Sequence, residues 1–303
     1  MGPERRIDMR KQKSLTKSIS VFSIAIFCIL IIYVISLVFP LIWALLTSVK
    51  GKLDFLRHPF DLPTKWIWEN FKTAADNYLS PYNKDGVVRT VYIAEMAQNS
   101  LIYAIGGSFL GTFVVCIVAY ASARFDTIFG KLIYTIVIVT MTLPIVGSLP
   151  SEIQIIKTLG LYDTMLGMMI LNCGFLGMHF LIFYATFESI PKEYTEAAYV
   201  DGASNFMVLF KIMLPLVINA FMTIMLIRFI GLWNDYSMTM QYTPNIKTLA
   251  FGLYEYSLSY SPQISGVPMK LAGCCILMVP VLILFIIFHE RIMGNVALGG
   301  IKE

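Results

Sequence analysis

The sequence holds few side chains that could do covalent chemistry, and their spacing argues against it. Cys28, Cys116, Cys173, Cys274 and Cys275 all lie inside apolar runs, with no CxxC pair among them. A zinc site or disulfide framework needs clustered thiols, so these read as small buried hydrophobes. His58, His179 and His289 are scattered, and no metal site is expected. ATP hydrolysis of the P-loop kind needs a glycine-rich loop ending in Gly-Lys and then Ser or Thr. The pairs Gly51-Lys52 and Gly130-Lys131 are each followed by leucine. No G-x-S-x-G or H-E-x-x-H is present either, so the chain is expected not to be an enzyme.

What the polar residues can do is mechanical. Residues 190–216 read IPKEYTEAAYVDGASNFMVLFKIMLPL. Ser189 can cap a helix with Pro191 in its first turn, where proline is tolerated. Glu193 and Glu196 then sit near the positive end of that helix. Ala197 and Ala198 offer a small-residue face for close approach of another surface. Gly202 permits the sharp turn that stops the helix. Ser204 can cap a second, amphipathic helix carrying Phe206, Leu209 and Lys211, and Pro215 bends the chain away. The expected object is two short helices joined by a glycine turn, which on these grounds alone serves equally as packing between spans or as a docking elbow.

Charged residues inside apolar runs are the other candidates. Arg228 costs roughly 2.5–3.5 kcal/mol at a membrane helix centre on insertion scales, so it must face protein, face water or snorkel. Asp235 lies two helical turns further on the same face. With Asn234 they form either a translocation-lining face or a structural and interfacial anchor. Gly106, Gly107 and Gly111 are spaced for close helix contact, within the chain or with a partner. Met165, Met168, Met169 and Met178 read as adaptable packing.

The elements that must hold these residues follow from composition. Hydrophobic residues make up 57% of the chain and charged ones 14%, against about 25% charged in a soluble domain. Apolar runs occupy residues 19–46, 97–123, 132–151, 164–187, 212–235 and 271–288, each near the roughly 20 residues that cross a bilayer. The expected fold is therefore an all-α integral membrane protein with six transmembrane helices. The first run is too long for a signal peptide and follows Arg5, Arg6, Arg10, Lys11, Lys13 and Lys17. Basic residues favour the cytoplasmic side, which puts both termini there. The organisation expected is a basic N-terminus (1–18), a first span (19–46), an extracytoplasmic segment (47–96), a five-span core (97–290) with its inner loop at 188–215, and a tail (291–303). The outer stretches 47–96 and 241–268 are aromatic-rich, fitting an interfacial belt or a docking surface. The basic N-terminus suits anionic lipid better than nucleic acid.

The inner loop carries a resemblance. Glu196-Ala197-Ala198, then Gly202, then Ile212-x-Leu214-Pro215 resembles the EAA loop of permease subunits of binding-protein-dependent ABC importers. Asp201-Gly202-Ala203-Ser204 is similar to the sugar-importer version. Asn99-Ser100-Leu101, Ala119-Tyr120-Ala121-Ser122-Ala123-Arg124-Phe125, Leu159-Gly160-Leu161-Tyr162-Asp163-Thr164 and Trp233-Asn234-Asp235-Tyr236 extend the likeness to the second, maltose-type permease of carbohydrate importers. The resemblance implies a type I ABC importer permease fold in a bacterial or archaeal plasma (inner) membrane. It implies a heterodimer with a homologous permease, two ABC ATPase subunits that alone bind ATP and Mg, and an extracellular or periplasmic solute-binding protein. It implies a sugar or oligosaccharide as cargo, and a tail whose Gly299, Gly300 and Lys302 reach the ATPases. The competing expectations are a permease for a non-sugar solute and, from another class, a secondary transporter.

Overall fold

The computed structural model describes residues 21–84, 86–125, 127–143 and 147–298. The basic N-terminus (1–18) and the tail residues Gly299, Gly300 and Lys302 lie outside the described residues. The chain starts with α1 (Val21–Ser48), then α2 (Lys52–Arg57), α3 (Glu69–Asp76) and a hairpin of β1 (Leu79–Lys84) and β2 (Val87–Tyr92). The long α4 (Ile93–Arg124) follows, then α5 (Ile128–Thr142), α6 (Leu149–Thr158), α7 (Met165–Leu171) and α8 (Met178–Ser189). Beyond these come α9 (Glu193–Val200), α10 (Asn205–Val208), a π-helical turn (Leu209–Met213), α11 (Leu214–Leu216) and α12 (Ile218–Trp233). The chain closes with α13 (Ser237–Tyr242), α14 (Leu249–Leu258) and α15 (Val267–Leu298). The all-helical expectation omitted the antiparallel hairpin, which pairs Leu79 with Tyr92 and Lys84 with Val87.

Length and apolar character let three helices cross a bilayer: Phe22–Ser48, Ile93–Arg124 and Val267–Ile287. A fourth is added if the pair Asn205–Leu216 and Ile218–Trp233, bent by 75°, acts as one. The other two apolar runs are helical but short or broken. The 15 residues of α5 rise only about 23 Å, against a hydrocarbon core of about 30 Å. The run 164–187 divides into α7 and α8 because Gly177 takes φ +146°, a conformation that glycine alone adopts freely. Such breaks survive at membrane depth where neighbouring protein satisfies the freed backbone. The last run extends beyond its expected end, since α15 continues to Leu298.

Helix α1 stands at the margin, its side chains from Phe22 to Leu41 exposed, as suits contact with lipid. Only its C-terminal end is buried. There Asn70 Nδ2 donates to the carbonyls of Ser48 (2.8 Å) and Lys50 (2.9 Å). Lys50 Nζ donates to His58 O at 2.8 Å, so this buried ammonium is satisfied by carbonyls.

The core of the bundle is α4. Its glycines work within the chain: a Cβ on Gly107 would stand 2.9 Å from Leu232 and one on Gly106 2.5 Å from the Met169 side chain. Small residues here let backbones approach, which is how membrane helices gain packing energy. One buried cluster, around Tyr120, Phe183, Phe187, Met213 and Phe221, underlies the 190–216 loop. The other, around Tyr78, Met96, Trp233 and Tyr256, lies at the opposite end. Met168 is buried, as expected of packing, whereas Met178 is exposed. Cys28 and Cys274 are exposed too, contrary to the expectation that all five cysteines are buried.

That opposite end is closed by polar contacts between segments distant in sequence. Tyr78 Oη donates to Leu249 O at 2.7 Å and Ser100 Oγ accepts from Leu249 N at 2.7 Å. Ser80 Oγ bonds Glu255, and Tyr242 Oη donates to Glu152 Oε2 at 2.7 Å. Hydrogen bonds from Ser148 and then Tyr242 hold the Glu152 carboxyl below the usual carboxylate range. Burial, followed by Glu152 itself, pushes the Tyr242 hydroxyl up to about 12. A depressed carboxyl stabilises the fold above its unfolded value, and that contribution is lost as pH falls through the folded one. Tyr242→Phe should therefore lower the melting temperature by about 2 °C at neutral pH. Thermal scans should show the gap to wild type closing below pH 4 to 5; a gap independent of pH would count against the carboxylate contact.

Candidate functional site

The 190–216 loop begins where α8 ends. Ser189 closes that helix, its Oγ donating to Thr186 O at 2.7 Å, rather than capping the next one as its sequence context suggested. Pro191 likewise precedes α9, which starts at Glu193 behind Lys192. Thr195 does the local work instead, its Oγ1 donating to Lys192 O at 2.7 Å. Glu193 and Glu196 occupy the first turn, where the helix dipole favours acidic groups.

The C-terminus of α9 is a Schellman closure. Ala203 N donates to Ala198 O at 2.9 Å and Gly202 N to Tyr199 O at 3.0 Å, with Gly202 at φ +80°. These two bonds and a left-handed glycine satisfy carbonyls that a helix end leaves open. Ser204 Oγ then accepts from Met207 N at 3.3 Å, the expected cap of α10. Beyond it the helix widens into the π turn, and Pro215, which lacks an N–H, sits just before the 75° bend.

The two alanines differ in burial. Ala198 is buried in the core cluster under the loop, while Ala197 is exposed. Ala197 lines an open groove of about 530 Å³ with Glu193, Tyr194, Ala198, Asp201 and Ile212. Leu214 packs on the same cluster, and Pro215 is exposed at the bend. Large apolar side chains are presented to the outside as well: Val200 is 88% exposed and Phe206 76%. The surface is thus acidic at one edge, apolar at the other and grooved between.

One loop anchor was not singled out from the sequence. Arg124, the last residue of α4, donates from Nη2 to Ile190 O at 2.7 Å, tying the first residue of the loop to the central helix. Its signals in the sequence are the end of a span just before the break at Phe125 and its place in the 119–125 motif, neither of which points to the loop.

The second candidate set is arranged differently from expectation. Helix α12 ends at Trp233, so Asp235 no longer lies two turns along the face of Arg228. Asp235 Oδ1 accepts from Ser237 N (2.9 Å) and Met238 N (3.1 Å), capping α13. Asn234 is exposed and donates back to Ile230 O at 2.9 Å. Arg228 reaches across to the break after α7, its Nη2 donating to Asn172 O at 3.0 Å. Asn172 Nδ2 in turn contacts Tyr103 Oη at 3.0 Å. Arg228 Nη1 is buried without a hydrogen-bond partner among the described residues.

Comparison with known proteins gives this architecture its class. The family described as binding-protein-dependent transport system inner membrane component matches residues 107–296, well over half of the chain, and the chain belongs to that family. It is a family of multi-pass membrane permeases rather than enzymes, which work with binding proteins and ATPases. The chain is 26% identical to the diacetylchitobiose uptake system permease protein NgcG of Streptomyces coelicolor, over 90% of this chain and 87% of the relative. It is 26% identical to the sulfoquinovosyl glycerol transport system permease protein SmoH of Agrobacterium fabrum, over 87% and 88% of the two chains. It is 24% identical to the arabinooligosaccharides transport system permease protein AraQ of Bacillus subtilis, over 93% and 97%. Among solved structures, a chain of a bacterial ABC transporter involved in import of the acidic polysaccharide alginate superposes with a TM-score of 0.72, at 22% identity, over 91% of this chain and 98% of that one.

Proposed function

We propose that this chain is a permease subunit of an ATP-driven importer of sugars or oligosaccharides, and that the 190–216 loop is its coupling element. The observation that carries the coupling role is the grooved, Schellman-closed elbow, with its exposed Ala197, Asp201, Val200 and Phe206 at one end of the bundle. Carbohydrate as cargo is supported by relatives named for uptake of diacetylchitobiose, sulfoquinovosyl glycerol and arabinooligosaccharides.

In this reading a homologous permease completes the pathway, and two ATPases bind ATP and Mg. The loop, the N-terminus and the tail with Gly299, Gly300 and Lys302 face the cytoplasm, and the short α5 and the broken α7–α8 complete six crossings. A loaded binding protein docks on the outer segments while ATP draws the two motors together. The loop moves with its motor, and because it is stiffened by the bond from Arg124 and the closure at Gly202, the motion passes into α4 and α12. Nucleotide drives this only by binding one state of the assembly better than the other. Arg228, Asn234 and Asp235 belong at the outer part of the path, Arg228 holding α12 against the break after α7 and Asp235 fixing the turn into α13.

Reconstitution of the two permeases with the ATPases and binding protein should give saccharide uptake that stops when ATP is withheld; uptake by the permeases without ATPases would overturn the reading. A second result is expected at the interface. Glu196→Lys places a cation in the first turn of α9, against the helix dipole and against whatever basic surface meets Glu193, Glu196 and Asp201. Co-purification of the ATPase should fall about tenfold, roughly 1.4 kcal/mol, while Glu196→Gln should lose much less. Equal recovery with Glu196→Lys would remove Glu196 from the contact.

A further inference from the structure

A polar pocket of about 470 Å³ opens at the end of the bundle opposite the coupling loop, within the size range of small-molecule sites, about 300–1,000 Å³. Four separate segments build it: Tyr82 and Arg89 from the hairpin, Glu95 and Asn99 from the start of α4, Asp163 ahead of α7, and Asn245 beyond α13. The side chains are held before any ligand arrives. Arg89 Nη2 donates to both Glu95 oxygens, at 3.1 and 3.2 Å. Asp163 accepts from the backbone N (3.0 Å) and the side-chain amide of Asn245. Asn99 Nδ2 donates to Lys247 O at 2.9 Å. Each asparagine so fixed by its NH₂ group keeps its Oδ1 as an acceptor.

We infer that this pocket is an outer subsite for one uncharged saccharide unit; the inference rests on the carbohydrate reading above. A sugar ring presents hydroxyls that both donate and accept, and a C–H face that lies against an aromatic ring. The pocket offers matching parts: carboxylate and amide oxygens as acceptors, the remaining guanidinium N–H groups as donors, and the half-buried Tyr82 ring with Ile102 as apolar surface. Its charge selects among sugars. The charged side chains lining it are Arg89, Glu95 and Asp163, one cation against two carboxylates, and the cation is already paired with Glu95. Lys247 nearby holds its ammonium over the Phe251 ring, 4.1 Å from the centroid, and is not part of the lining. A uronic acid would meet net negative charge; a neutral unit would not.

The position suits a cargo entering from outside. Asn99 lies one turn of α4 ahead of Tyr103, whose hydroxyl meets Asn172, which in turn accepts from Arg228. The pocket therefore stands at the head of the polar contacts that run inward between α4, α7 and α12.

The test uses the assembled permease–ATPase complex in lipid nanodiscs, without binding protein, and maltose and cellobiose carrying a photoreactive diazirine. Label should map to peptides containing Tyr82, Asn99 or Asp163, be competed by the unmodified neutral disaccharides and resist digalacturonate. Tyr82→Ala should reduce labelling at least fivefold and Tyr82→Trp should restore it, with both complexes eluting as assembled as wild type. Labelling elsewhere, or equal competition by digalacturonate, would overturn the subsite. Uptake with the binding protein added separates the two ideas: a complex that carries neutral saccharides but labels elsewhere loses only the subsite. One that carries peptides or amino acids and no saccharide loses the carbohydrate reading and the subsite with it.

Discussion

Gly202→Pro is expected to cut ATP-driven uptake to less than a tenth of wild type while the chain still inserts and assembles with its partner permease. Gly202 sits at φ +80°, and proline is locked near −65°. The ring also removes the N–H that donates to Tyr199 O. Forcing the closure open costs on the order of 1–3 kcal/mol in backbone strain and about 1 kcal/mol for the lost bond. Every 1.4 kcal/mol is tenfold in a population, enough to leave the elbow mostly unformed. The apolar spans are untouched, so abundance in the membrane should hold. Gly202→Ala grades the effect: no atom lies within 4 Å of the added methyl and the N–H is kept, so only the left-handed penalty of about 1–2 kcal/mol remains. Uptake into vesicles, measured beside ATPase activity, should rank wild type above alanine above proline, with proline hydrolysing ATP unproductively. Full uptake by the proline variant would mean that the loop transmits nothing.

That elbow was legible because its signals are local. Gly202, fifteen residues past the apolar run that ends at 187, Ser204 two beyond it and Pro215 at the start of the next apolar run each have one backbone use, and the chain folds around them accordingly. The start of the elbow is less legible, because Ser189 and Pro191 fit two frames. The choice between them was made by Arg124, which holds Ile190 O from 66 positions away. No pattern of spacing within the loop encodes that contact.

The same contrast runs through the bundle. Apolar runs coincide with the three helices long enough to cross a bilayer and with the bent fourth, yet their continuity depends on neighbours. Residues 164–187 are apolar enough for one helix and still break at 172–177, where Gly177 takes φ +146° and Asn172 turns its carbonyl to Arg228 and its amide to Tyr103. Asp235 looked like a partner in the path of Arg228 only while α12 was assumed to run through it. Once the helix stops at Trp233, whose Nε1 donates to Leu277 O at 3.1 Å, the carboxylate is free to cap α13. The outer hairpin has no clear sequence signal for a different reason: β1 contains Pro81 and the polar Ser80, Asn83 and Lys84, and its pairing is supported by contacts to α14 such as Ser80 to Glu255 rather than by its own alternation.

The close approach of α4 to Arg228 and Asn172 supplies the second large effect. A Cβ on Gly111 would lie 2.6 Å from Asn172 O, 2.9 Å from Arg228 Nη1 and 3.0 Å from Arg228 Cζ. Two of those atoms belong to the guanidinium that bridges α12 to the break after α7, and the third is backbone, so the site cannot yield by turning one flexible side chain. Gly111→Val must push α4 away or eject Arg228 from its bond to Asn172 O, leaving a cation without its acceptor inside the bundle. Overpacking of this kind costs about 1–3 kcal/mol, which with the lost charged contact corresponds to a fall of about 5–10 °C in the melting temperature of the solubilised complex. Gly231→Ala is the control, being exposed on α12 with nothing within 4 Å of its added methyl; it should melt at or slightly above wild type, since alanine favours helix over glycine. The pair Gly111→Ala and Arg228→Leu, measured singly and together, isolates the coupling. If Arg228 is the obstacle, the alanine should cost less once the guanidinium is gone. Additive losses would shift the whole clash to the Asn172 carbonyl, and a Gly111→Val complex that melts with wild type would show that α4 does not approach α12 and the α7–α8 break this closely.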